Sequence, residues 1–252
     1  MLLGLVAGLA SATTALAQPS AVPPAAAASK PIREVVFHVS FTRRQAVSTE
    51  TFGGMEMGAD NSTPISTGAP VGSSSATTDR GMVTVDVMQV TSNALGVKVT
   101  EEWASKKTPA TYLGNVAADG TINFGNQVVS EATEALLPFF GPHFTGDQTL
   151  DQGSRWTANL DADIASKQTT FTVKNVDGPI VTLDEVDNLK MKGARGMDST
   201  LTGTVAYKPS RLVAVSGTFH GRASKSDPQT VDTITTEISF TRASDTRDQD
   251  EK

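Results

Sequence analysis

A strict alternation of apolar and polar positions opens the folded part of the chain. From Glu34 to Arg44, Val35, Phe37, Val39 and Phe41 share one side, while Val36, His38, Ser40 and Thr42 share the other. That period of two marks a half-buried strand. It returns from Met82 to Thr91, with Val83, Val85 and Val87 on one face, and from Leu95 to Trp103. Thr111 to Val116 and Thr121 to Phe124 flank Ala118-Asp119-Gly120, where Asp-Gly signals a hairpin. Residues Gly53 to Asp79 carry no period and fill with Gly, Ser, Thr, Pro and Asn. Segment 53–79 is therefore expected to be a flexible internal loop, too poor in bulky apolar groups to offset its ordering entropy.

The period changes once. From Gln127 to Phe140, Val128, Ala132, Ala135, Leu136 and Phe139 recur at three- and four-residue spacing, with Glu131 and Glu134 off that face. This predicts an amphipathic helix, with Asn126 as its N-cap and Pro138 and Gly141 closing it. The last turn is richly apolar. Strand patterning then resumes in Ser154 to Leu160, Thr169 to Val173, Ile180 to Leu183, Thr200 to Tyr207, Leu212 to Arg222 and Val231 to Arg242. Short turns between long strands favour antiparallel neighbours, because parallel ones need crossover helices. The expected fold is mainly β: a large curved antiparallel meander, or half-barrel, of about ten strands with one amphipathic helix against its concave face.

The ends of the chain add a compartment. Leu2 to Leu9 form an apolar run and Ala15-Leu16-Ala17 an A-x-A cleavage pattern, so residues 1–17 read as an export signal, although no Lys or Arg precedes the run. Residues 18–31 read as an Ala/Pro-rich linker, 32–242 as a single β-rich domain and 243–252 as a charged disordered tail. No later run approaches the length of a membrane-spanning helix, so the mature chain is expected to lack one. The absence of cysteine excludes disulfides, thiolate chemistry and a lipid-bearing cysteine. A formal charge of −6 argues against nucleic acid as a partner. A bacterial periplasmic or extracellular protein is expected.

The export pattern, the long Thr/Val-rich strands and a helix lodged mid-chain resemble the half-barrel of bacterial Lol-type lipoprotein carriers and similar secreted envelope families. Gly153-Ser154-Arg155-Trp156, just past Phe139-Phe140, is similar to a Gly-polar-polar-Trp element found after such a helix. The resemblance spans roughly residues 32–242 and implies a curved sheet with a helix in its mouth, and a lipid or other apolar ligand. It implies no functional residue.

The chemistry is sparse. His38, His143 and His220 lie far apart, without the convergent spacing of a zinc site. Met55-Glu56-Met57 lacks a third soft ligand for Cu(I). No G-x-S-x-G elbow is present. The acids Asp161/Asp163 and Asp184, Glu185 and Asp187 are the residue types of glycoside hydrolysis, yet two Trp and two Tyr are few for sugar platforms; they read as solvated strand ends. Lys190, Lys192 and Arg195 read as mixed-charge surface. No cofactor, metal or catalytic group is expected.

Register carries the one site expectation. A five-residue connection from Lys208 to Leu212 would pair Tyr207 with Val213, Val205 with Val215, Gly203 with Gly217 and Leu201 with Phe219. Extended to the last strand, it aligns Gly203, Gly217 and Thr236 in one row. Aligned glycines build curvature, so a notch bent toward Leu136, Phe139 and Phe140 is expected; those six residues are the candidate lining for an apolar ligand, and the alternative is that one of the helix-end side chains fills the notch as ordinary core. The function expected is an exported, non-catalytic envelope protein binding a lipid or other apolar small molecule. The alternative is a structural or protein-interaction module whose helix plugs the core. An outer-membrane barrel is disfavoured by the missing aromatic girdles and the charged end at Asp248 to Lys252.

Overall fold

The computed structural model describes residues 30–49, 72–91, 94–117, 122–140, 149–161, 165–191, 197–227 and 230–248. The export segment, most of the linker, the loop up to residue 71, Ala118-Asp119-Gly120, His143, Asp163, Lys192 and Arg195 lie outside the described residues, as do the last four positions.

Eleven strands form one antiparallel sheet. They are β1 (Arg33–Thr49), β2 (Gly72–Val90), β3 (Ala94–Trp103), β4 (Ala110–Ala117), β5 (Ile122–Asn123), β6 (Arg155–Asp161), β7 (Ala165–Asp177), β8 (Ile180–Met191), β9 (Met197–Lys208), β10 (Val213–Asp227) and β11 (Thr230–Asp245). The order is β5-β4-β3-β2-β1-β11-β10-β9-β8-β7-β6, a meander whose first and last strands pair at the centre. The sheet stays open, with β5 and β6 at its edges. Among the described residues no helix is long and apolar enough to cross a membrane.

Helix α1 (Glu131–Leu136) continues into a 3-10 turn over Leu137–Phe139. Its contacts reveal the curvature of the sheet. Glu101 on β3 accepts hydrogen bonds from Ser130 and Thr133 at the helix start, while Phe139 at its end packs on Phe171 of β7, ring centroids 6.2 Å apart. Seven strand spacings separate β3 from β7, about 34 Å on a flat sheet. Ten residues of helix span only about 15 Å. The sheet therefore wraps the helix, and the inward rows of Phe37, Val83, Leu183, Val205, Phe219 and Phe240 close on Leu136, Leu137, Phe139 and Phe140 as one core.

Six residues of isolated helix would not persist in water, so α1 depends on its anchors. Ser130 caps it, its hydroxyl accepting from the Thr133 amide at 3.2 Å. Buried Glu101 holds that cap: it accepts from the Ser130 amide (2.9 Å) and hydroxyl (2.7 Å), the Thr133 hydroxyl (2.6 Å) and the Trp103 indole (3.0 Å). The helix thus begins four residues later than the periodicity predicts. The Gln127 side chain accepts from the Leu113 amide and Val128 is exposed, because this stretch runs along β4 to deliver Ser130 to Glu101. Pro138, which has no amide hydrogen to donate, coincides with the tighter last turn.

Three other expectations are corrected. Residues 72–79 belong to β2, not to the internal loop; their backbone pairs with Phe41 to Ser48 of β1, so the Ser/Thr-rich composition there is that of a strand. The chain does not turn to disordered tail at 243. Strand β11 runs to Asp245 and a 3-10 turn covers Thr246–Asp248, because the charges have partners: buried Asp245 binds Arg33, and Arg242 reaches Asp245 at 3.0 Å and Asp248 at 3.3 Å. The expected register also fails. Lys208 pairs with Val213 after a 3-10 turn at Pro209–Arg211, and a bulge falls between Ala214 and Ser216. Together they slide β10 by two residues.

Candidate functional site

The observed register removes the glycine row. Gly217 stands between Val205 and Phe240, Gly203 beside Phe219, and Thr236 beside Gly221. Each glycine makes room for a neighbouring ring: a Cβ on Gly217 would lie 2.6 Å from Phe240 Cζ, and one on Gly203 would run into the Phe219 ring. Phe219 stacks on Phe240 at 6.1 Å, and Phe37 meets both Phe240 and Phe140 edge-on at 5.8 Å. Leu136, Phe139 and Phe140 are fully buried against these rings. The notch is ordinary core. Of the six candidate residues Thr236 carries a side-chain hydrogen bond, donating to Glu131 Oε2 at 3.2 Å.

Beyond the core the same inward parity continues. One row runs Thr77, Arg43, Thr236, Gly221, Leu201, Asp187 and Thr169 across β2, β1, β11, β10, β9, β8 and β7. The helix begins at this row, where Glu131 meets Arg43 (3.4 Å) and Thr236. The next row carries Ser75, Gln45, Ile234, Ala223, Ser199, Leu189 and Lys167, and the one after it includes Ser73, Val47, Asp232 and Lys225. Met197, the register partner of Lys225, continues that row at the start of β9, and Met191 ends β8. Among the described residues no helix lies past the Arg43 row.

This half of the concave face, which no element covers among the described residues, is two-sided. Across β2, β1 and β11 it presents mainly hydroxyls and charges, with Ile234 and Val47 among them and Gln45 donating to both Asp232 oxygens at 3.0 and 3.2 Å. Across β8 and β9 it presents Leu189, Met191, Met197 and Leu201, all half-buried. Methionine adapts its shape to irregular apolar surfaces. The groove has a polar wall and an apolar wall.

A charged belt separates groove from core. Asp187 and Glu185, on the inward face of β8, are buried; Lys167 on β7 holds Asp187 at 2.8 Å. Among the described residues no hydrogen-bond partner reaches Glu185 Oε2 or Asp187 Oδ1. Burial, reinforced by the Asp187 charge and opposed by Lys167, pushes the Glu185 carboxyl up to about 8. Burial likewise pushes Glu134 up to about 7, against the pull of Lys167 and with Glu131 and Glu101 adding to the rise. Burial pulls Lys167 down, but Asp187, Glu185 and Glu134 outweigh it and hold the ammonium above its usual range. Carboxyls so placed can exchange protons near neutral pH and attract positive charge.

The reading of Asp184, Glu185 and Asp187 as solvated strand ends is therefore corrected: β8 continues to Met191 and the acids sit mid-strand. A signal was present. Leu183, Glu185, Asp187 and Leu189 share one parity, which places the acids on the face of the two leucines. His38 and His220 stand exposed on the opposite, convex face. Gly153, with φ of 86°, adopts the left-handed backbone that turns the chain into β6, and Trp156 stacks on Phe171 at 5.3 Å. No family model, curated protein or solved structure matches the chain.

Proposed function

We propose that the chain is an exported, non-catalytic cell-envelope protein that holds a lipid or another apolar ligand in the open half of its concave sheet. One observation carries this reading: the wall of Leu189, Met191, Met197 and Leu201, past the point where the helix stops covering the sheet. A groove that is mostly apolar with a few placed polar groups is how proteins commonly hold small amphiphiles. The A-x-A pattern at Ala15 to Ala17 supports export, and the half-barrel likeness to lipoprotein carriers supports an apolar cargo. N-terminal sequencing of exported protein should begin at Gln18. Lipid extraction and mass spectrometry of protein purified from its host should recover one amphiphile in stoichiometric amount; background phospholipid alone would reject the reading.

A structural or protein-interaction module is the second reading. It is favoured by the complete burial of Leu136, Leu137, Phe139 and Phe140, which makes the helix a core plug.

A further inference from the structure

We propose that the belt below the groove recognises a cationic head group, so that the ligand is an amphiphile bearing an ammonium or similar cation. The inference rests on the reading of the groove as a ligand site and names the chemistry of what enters it.

Among the described residues four carboxyl groups, Glu131, Glu134, Glu185 and Asp187, face two cations, Arg43 and Lys167. Arg43 is engaged with Glu131, and Lys167 with Asp187 Oδ2. Among the described residues that leaves Glu134 and Glu185 to share the field of Lys167, with no cation of their own. Two acceptors are also unused: Glu185 Oε2 and Asp187 Oδ1 are buried with no partner among the described residues, and a buried carboxylate oxygen left unmatched is costly. Glu185 is only 4% exposed. A donor carrying positive charge satisfies both deficits at once; an anionic head group would worsen both.

The neighbouring rows fix how such a molecule lies. Asp187 pairs across the ladder with Leu201, and Lys167 with Leu189. A head group that donates to these two buried, unmatched oxygens therefore has its tail on the side of Leu201, Leu189, Met191 and Met197. Lys225 stands in register between Met197 and Asp232, so the cation beside the apolar wall is matched by a carboxylate on its other side.

Displacement of the neutral fluorophore N-phenyl-1-naphthylamine tests this on the full chain, with decylammonium and decanol compared near pH 9. Decylammonium should displace the probe about ten-fold more effectively, the yield of one charge-assisted hydrogen bond. Glu185→Gln should bring the two close to parity by weakening decylammonium alone. Lys167→Gln, which removes the competing ammonium, should widen the preference, and it decides the matter if Glu185→Gln does not fold. Glu237→Gln, on the convex face, should change neither. Equal potency of the two amphiphiles on the native protein would overturn the cation proposal and leave the groove standing. Failure of the probe and of both amphiphiles to bind would overturn the groove as well.

Discussion

Replacing Glu185 with glutamine should stabilise the protein in alkali and not in acid. In the folded state this carboxyl is pushed from 4.5 to about 8 by burial and by the Asp187 charge. Between those two values the folded chain binds more protons than the unfolded one, so stability falls as pH rises through the window and is lowest above it. At about 1.4 kcal/mol per pKa unit, a shift of roughly 3.5 units sets an upper bound of about 5 kcal/mol on the penalty at pH 9. Glutamine removes that penalty but buries an amide at a place with no partner, a cost of about 1–3 kcal/mol. The variant should therefore gain about 2–4 kcal/mol at pH 9. At pH 5 Glu185 is already protonated, so the variant should be level with the native chain or weaker by the amide cost. Urea unfolding followed by the fluorescence of Trp103 and Trp156 at pH 5, 7 and 9 measures this directly. The native midpoint should fall with pH more steeply than that of the variant. A difference between the two chains that is the same at all three pH values would refute the buried-charge account of β8.

Other substitutions probe the rest of the frame. Gly217→Val should overpack the Phe240 contact and cost about 1–3 kcal/mol in chemical denaturation. Glu101→Ala leaves the Trp103 indole and the Ser130 cap without their acceptor; a loss of about 2–4 kcal/mol is expected, with hydrogen exchange rising first in α1. Asp245→Asn strips the buried Arg33 of its carboxylate and should cost about 3–5 kcal/mol at pH 7. Burial raises the Asp245 carboxyl, but the hydrogen bonds and charges of Arg33, the Arg247 amide and Arg242 outweigh it and hold the group below its usual range. Its contribution is therefore present above the unfolded pKa of about 4 and lost below it, so melting curves of the two chains should converge as pH falls toward 3.

Period-two patterning made much of the sheet legible. Val35, Phe37 and Val39 face the core as their alternation requires, and the antiparallel meander follows from strands too closely spaced for crossovers. What stayed hidden has physical causes. Gly72 to Asp79 reads as loop by composition, yet a strand can be fixed by its ladder to β1 and need no apolar face. The helix start depends on Glu101, some thirty residues upstream and on another element. The slide of β10 comes from a 3-10 turn and a bulge near Val215, which alternation alone does not encode. In the candidate site the apolar helix end was legible and filling of the notch by it was one of two expected outcomes, but the ring opposite each glycine was not, because that depends on the register of β10. The acids Glu185 and Asp187 of β8 are buried because they share the parity of Leu183 and Leu189, a pattern that their charge masks.

Photo-crosslinking with an alkyl diazirine amphiphile tests the central claim most directly: that the concave face past the helix holds the ligand. Peptide mapping of the labelled protein should place the adducts on Leu189, Met191, Met197 and Leu201, with competition by unlabelled decylammonium. Adducts confined to exposed apolar residues outside the groove, such as Met82 and Val186, or labelling that no amphiphile displaces, would contradict it.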